Sequence, residues 1–80
     1  MRILVVDDDS AVTTLVARGL KYEGYTVDVA ASGEEGLRLA EKHHPDLVVL
    51  DVMMPGIDGF EVCRRLREAD RLLPILMLPA

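Results

Sequence analysis

The sequence predicts an α/β domain built on a mainly parallel sheet, and three observations carry that prediction. Ile3-Leu4-Val5-Val6, Leu47-Val48-Val49-Leu50 and Ile75-Leu76-Met77-Leu78 are uncharged apolar runs of strand length, the pattern of strands buried on both faces. Between them the apolar spacing lengthens to that of amphipathic helices. The resulting order, βαβαβαβ, joins successive strands through helices and so demands parallel pairing with right-handed crossovers.

Each element follows from local chemistry. The first strand ends in Asp7-Asp8-Asp9. From Ser10 a helix is expected, with Val12, Leu15, Val16, Gly19 and Leu20 on one stripe, Asp9 or Ser10 as N-cap and Gly24 as the C-terminal stop. Thr26-Val27-Asp28-Val29-Ala30 alternates with period two, which suits a half-exposed edge strand. Ser32 followed three residues later by Glu35 is a capping box, opening a short helix marked by Leu37 and Ala40 and ended by Pro45. The third strand, from Leu47, ends at Asp51. Asp58 is placed to cap a third helix in which Phe60, Cys63 and Leu66, with Val62 and Ala69, face the sheet. Arg64, Arg65 and Arg67 point largely away. Pro74 breaks that helix before the last strand.

Composition bounds the function. Eighty residues make one small domain, whose core supplies only about 3–5 kcal/mol of net stability. No apolar run approaches the roughly 20 residues that span a bilayer, and the N-terminus meets acid too early for a signal peptide, so a cytoplasmic chain is expected. The lone Cys63 forms no internal disulfide and fits a reducing compartment. With 14 acids against 9 bases the net charge is −5, which repels phosphate backbones and argues against direct nucleic-acid binding. The cluster Arg64, Arg65, Arg67 and Arg71 is interleaved with Glu61, Glu68 and Asp70 and reads as a solvated helix face. His43 and His44, at a helix end where cations suit the dipole, read as structural.

The two acidic strand ends carry the chemistry. Ligands of open parallel sheets bind at the C-terminal strand edge, where strand order reverses. If the first and third strands are neighbours there, Asp7 and Asp8 lie about one strand spacing, ~4.8 Å, from Asp51. Carboxylates that close call for a cation or a raised pKa. A site of oxygen ligands alone, with no His or Cys nearby, suits Mg²⁺, which is held by one or two carboxylates together with phosphate oxygens. One carboxylate could then act as nucleophile toward a phosphoryl group.

Val5-Val6-Asp7-Asp8-Asp9, Val49-Leu50-Asp51-Val52-Met53-Met54-Pro55-Gly56-Ile57-Asp58-Gly59 and Pro74-Ile75-Leu76-Met77-Leu78 resemble the response regulator receiver domain, the CheY-like phosphoacceptor of two-component signalling. The resemblance implies a flavodoxin-like fold with strand order 2-1-3-4 and a sensor histidine kinase as phosphodonor. It implies that Asp51 is phosphorylated, that Asp8 binds Mg²⁺ directly, and that Asp7 completes the pocket largely through metal-bound water. The backbone carbonyl of Met53 would be a further metal ligand. Pro55 and Gly56 would shape the loop beside the phosphoryl group, and Gly59 would open the third helix. Asp9 and Asp58 are left as helix caps.

Two departures set further expectations. Receivers have five βα units, so residues 1–80 are expected to be an incomplete receiver lacking the fourth helix, fifth strand and fifth helix. Where the family carries Ser or Thr after the fourth strand, Pro79 offers neither a hydroxyl nor an N–H. The family's Lys on the fifth strand has no counterpart, since Lys21 and Lys42 fall on helices. Losing one comparable stabilising donor costs about 3–4 kcal/mol elsewhere, so phosphoryl transfer should be slowed. An exposed fourth strand should favour self-association. The chain is read as a phosphoacceptor and not an enzyme, and a transcriptional role would need residues beyond Ala80. Two other readings are an interaction or oligomerisation module that is not phosphorylated, and a phosphatase of the haloacid dehalogenase type with Asp7 as nucleophile. The second leaves Asp51 and the Met-Pro-Gly loop unexplained, and Ala11 stands where its motif prefers Thr or Val.

Overall fold

Strands form where the uncharged runs are, and helices where the spacing lengthens. A computed structural model describes residues 1–79. Ala80, the last residue of the domain bounds expected from sequence, lies outside the described residues. The order is β1 (Arg2–Val6), α1 (Ser10–Tyr22), β2 (Thr26–Ala30), α2 (Gly33–His43), β3 (Leu47–Asp51), α3 (Gly59–Ala69) and β4 (Ile75–Leu78). The four strands form one sheet, every pair parallel as the alternation of elements demands, in the order β2-β1-β3-β4 that the family resemblance implies. The central pair aligns Val6, the last residue of β1, with Leu50, one residue before the end of β3, so Asp7 and Asp51 emerge side by side. No helix among the described residues is long and apolar enough to cross a membrane.

The helices lie on both faces. Leu4, Val6, Val48 and Leu50 pack with Val62, Leu66 and Leu73 beneath α2 and α3, while Ile3, Val5 and Val49 pack with Val16 and Leu20 of α1. Alternation along β1 and β3 divides their side chains between the two clusters, which is why these strands carry no polar face. Fully burying a Val or Leu contributes about 1.5–3 kcal/mol relative to exposure, offset by the entropy lost on ordering the chain. At the opposite end, the Asp46 side chain accepts from Arg2 N at 2.8 Å and Asp46 N donates to the Arg2 carbonyl at 2.8 Å, locking the starts of β1 and β3 together.

Helix ends follow the expected chemistry with small differences. Asp9, not Ser10, caps α1, its Oδ1 accepting from Ala11 N and Val12 N. Gly24, just beyond α1, takes φ +96, a left-handed conformation favouring glycine. Ser32 Oγ accepts from Glu35 N at 3.2 Å, but Glu35 reaches back to Ala31 N rather than to the cap itself. His44 ends α2 at φ 50, directly before Pro45. Asp58 caps α3, accepting from Glu61 N at 2.9 Å.

Two helix faces depart from the expected stripes. On α1 the buried residues are Thr13 and Ala17, with Val16 and Leu20 partly covered, whereas Leu15 is 71% exposed and Val12 and Gly19 face outward. On α3, Val62 and Leu66 are buried and Cys63 half-buried, but Phe60 is 64% exposed and Ala69 is exposed. In both helices more apolar residues exist than one sheet face can cover; the closest positions go to Thr13 and Ala17 in α1 and to Val62 and Leu66 in α3. Arg67 also turns inward, donating to the carbonyls of Arg71 and Leu73 and closing the α3–β4 connection.

The outer side of α3 carries an ion network in which Arg64 bridges Glu61 and Glu68 while Arg65 Nε donates to Glu61 at 2.7 Å. The Arg64 guanidinium first, and Arg65 second, hold the Glu61 carboxyl at about 2, against an ordinary value of 4.5. Because the folded-state value is depressed, the stabilisation is full above pH 4.5 and is lost as pH falls through about 2. The pairs are exposed, so salt screens them and their contribution is small. Carboxyl chemical shifts followed through an acid titration should place the Glu61 midpoint near 2 and move it upward in Arg64→Ala; an unmoved midpoint would contradict the assignment.

Candidate functional site

The sheet order places the site. α1 leaves β1 toward one face and α3 leaves β3 toward the other, so a crevice opens above the ends of these neighbouring strands. Asp7 follows β1, and Asp51 closes β3. Ligand oxygens of Asp7, Asp8 and Asp51 all lie within 4.8 Å of one another, the first and last half-buried and Asp8 exposed. The expected convergence of these three residues is what the fold produces.

Backbone donors fix two of the three. Asp7 Oδ1 accepts from Asp9 N at 3.0 Å, and Asp51 Oδ1 accepts from Met53 N at 3.2 Å. Asp9 spends its own carboxylate on capping α1, and Asp58 spends its on α3. What remains is a group of carboxylate oxygens with no His or Cys among them. That donor set fits a hard divalent cation and would suit thiolate- or imidazole-seeking metals poorly.

The β3–α3 loop borders this group. Met54 is buried and Ile57 packs against the core, so the loop is pinned from inside, while Met53 and Pro55 are exposed. Gly56 takes φ +79. Gly59 opens α3 with its N–H donating to the Val52 carbonyl at 3.0 Å. A Cβ at Gly59 would stand 2.3 Å from the Asp51 carbonyl oxygen and 2.7 Å from Val52 Cα, so only glycine lets the helix start against the strand end. Apolar periodicity gives no hint of Gly33 and Glu34, which also touch this loop; the sole trace in sequence is a glycine where α2 begins.

Other candidates lie elsewhere. Lys21 and Lys42 sit in the last turns of α1 and α2, as does His43 in α2, with His44 as its cap. In parallel βαβ units the helices run back against the strands, so those ends lie at the sheet edge opposite Asp51. Pro79 follows Leu78, the residue paired with Asp51, and is exposed.

A flavodoxin-like parallel sheet with an acidic group at its switch point is the class of domain that fold and site define. The response regulator receiver domain family matches residues 3–80. This chain belongs to that family. The transcriptional regulatory protein AfsQ1 of Streptomyces coelicolor is 54% identical over 78 residues, 98% of this chain and 34% of that protein. The chain spans about a third of the length of the curated relatives it matches. Among solved structures, chemotaxis protein CheY4 of Vibrio cholerae matches with a TM-score of 0.92 and 37% identity, over 95% of this chain and 65% of that one. The response regulator TrrA of Thermotoga maritima, in complex with Mg²⁺-BeF, matches with a TM-score of 0.94 and 43% identity, over 99% and 69%. Family membership sets aside the phosphatase reading of Asp7.

The Gly59 contact yields a stability test. Gly59→Ala should cost about 1–3 kcal/mol or more, because its new methyl meets backbone that has no rotamer to yield. Gly19→Ala, which meets nothing within 4 Å in mid-helix, should be neutral or stabilising by about 0.4–1 kcal/mol. Urea unfolding of the two variants measures the difference, and equal midpoints would refute the close-contact account.

Proposed function

We propose that the chain is a phosphoacceptor that takes a phosphoryl group on Asp51 in the presence of Mg²⁺, with a sensor histidine kinase as donor. The observation that carries this reading is the convergence of Asp7, Asp8 and Asp51 within 4.8 Å at the switch point. The Mg²⁺-BeF complex of TrrA supports it.

In this reading Asp8 would hold the cation directly, Asp7 through coordinated water, and Asp51 and the Met53 carbonyl would complete the protein ligands. Bound there, Mg²⁺ would supply positive charge against the oxygens of the transferring group. The chain's own contribution is position. Met53 N–H engages Asp51 Oδ1, which orients the carboxylate and leaves its second oxygen to react. That oxygen forms the new O–P bond as the bond from phosphorus to the donor atom breaks and its electron pair departs with the donor. The acceptor is modified stoichiometrically and does not turn over as an enzyme. A net charge of −5 disfavours nucleic acid as a direct partner, and a cytoplasmic setting suits this exchange.

Pro79 modifies the rate. At the position after β4 it supplies no hydroxyl to a phosphoryl oxygen, so transfer should be slow. Incubating folded protein with Mg²⁺ and acetyl phosphate should give one phosphoryl adduct by intact mass in the wild type and none in Asp51→Asn. No adduct on folded, Mg²⁺-binding wild type would instead favour the interaction module.

Self-association is the second part of the proposal. Among the described residues β4 pairs on one side only, and Ile75-Leu76-Met77-Leu78 carries no charge to protect the other edge. Leu76, on the face of Val49, is 53% exposed. Sedimentation of the 80-residue chain should show a dimer or larger species at micromolar concentration; a monomer throughout that range would defeat this part alone.

A further inference from the structure

Gly33, the first residue of α2, is buried against the loop that borders the acidic group. A Cβ there would stand 2.7 Å from Ile57 Cγ1 and 2.6 Å from Val62 Cγ2, closer than real Cβ atoms approach such neighbours. One residue on, the Glu34 carboxylate lies over Gly56, its Oε2 3.3 Å from where a Gly56 Cβ would be. The first turn of α2 therefore touches the β3–α3 loop at two points, beneath Ile57 and above Gly56.

The two neighbours of Gly33 differ in how they can respond. Val62 is wholly buried at the centre of α3's inner face, and its β-branched side chain has little rotamer freedom. Ile57 is only partly buried and sits in the loop. Any push from Gly33 thus falls on the segment between Met53 and Asp58. The near end of that segment carries Met53 N–H, the donor to Asp51 Oδ1 at 3.2 Å. Its far end runs through Asp58 into Gly59, which is fixed by the 3.0 Å bond to the Val52 carbonyl. Between them Met54 is buried in the core beside Met53, so a displacement at Ile57 acts on Met53 through the backbone it shares with Met54.

We propose that Gly33 and Ile57 form the seat that positions the β3–α3 loop, and that through Met53 this seat sets the geometry of the Asp51 carboxylate. Gly33 is a positioning residue, since it touches the loop and not the acidic group. The inference rests on the reading of Asp7, Asp8 and Asp51 as a Mg²⁺ site, and it adds to that reading an element remote in sequence from all three acids.

The test is calorimetric titration of Mg²⁺ into folded wild type, Gly33→Ala, Ile57→Ala and Leu73→Ala. Overfilling the seat with Gly33→Ala or emptying it with Ile57→Ala should weaken Mg²⁺ binding about tenfold or more, the scale on which supports of metal ligands act. Ile57→Ala adds no clash, so it keeps the test open if Gly33→Ala fails to fold. Leu73→Ala opens the core beside Pro74, at the sheet edge away from Asp51, and should lose stability with unchanged Mg²⁺ affinity. Wild-type affinity in the folded seat variants would overturn the proposal, as would an equal loss in Leu73→Ala. Folded wild type that binds no Mg²⁺ would defeat the underlying reading of the site. Amide exchange over residues 53–58 would then decide the seat on its own: faster exchange in the seat variants than in Leu73→Ala sustains it, and no difference ends it.

Discussion

The parallel pairing of β1 with β3 is the constraint on which the rest of the molecule depends. These strands are separated in sequence by two helices and β2, yet they align Ile3 with Leu47 and Val6 with Leu50. Both must be apolar on two faces, because α1 covers one side of the pair and α2 with α3 the other. From Ile3 to Val6 and from Leu47 to Leu50 neither strand carries a charge. The acids therefore appear where the hydrophobic layers end, and matched register brings Asp7 and Asp51 out side by side. A one-residue slip would exchange the faces and separate the acidic ends.

Bringing three carboxylates together is unfavourable in itself, and the surrounding backbone moderates it by spending N–H groups on them. Asp9 N and Met53 N each donate to a site carboxylate two residues earlier. The same chemistry caps the helices that flank the site, through Asp9 and Asp58. Nearby acids thus divide between local structural duty and a group whose oxygens remain for a cation. Glycine makes the arrangement compact: Gly59 lets α3 begin against the Asp51 carbonyl, and Gly33 lets α2 approach Ile57 and Val62.

Much of this is legible in the sequence. The uncharged runs located β1, β3 and β4, alternation located β2 as a half-exposed edge, and Asp9, Ser32 and Asp58 were readable as caps because a short polar side chain before a helix has few other uses. Helix faces were less legible. Leu15 and Phe60 look like core residues by spacing but lie outside, since the sheet face beneath each helix is filled first by Thr13, Ala17, Val62 and Leu66. Periodicity reports that a helix is amphipathic, and only packing decides which of several apolar residues gains the contact. Arg67 illustrates the same limit, turning from an expected solvent-facing position to close a loop through backbone carbonyls.

The sequence alone determined the alternation of strands and helices, the parallel sheet that follows from it, and the identity of three acids at strand ends, because these depend on local chemistry and on a crossover rule. Strand order was within its reach only through family resemblance, since no local pattern says which strands become neighbours. The tertiary structure decided the distances among Asp7, Asp8 and Asp51, the Met53 bond that orients one of them, and the contact of α2 with the β3–α3 loop. Those features arise where segments remote in sequence are pressed together by close packing, and a linear pattern carries no record of how near such segments will lie.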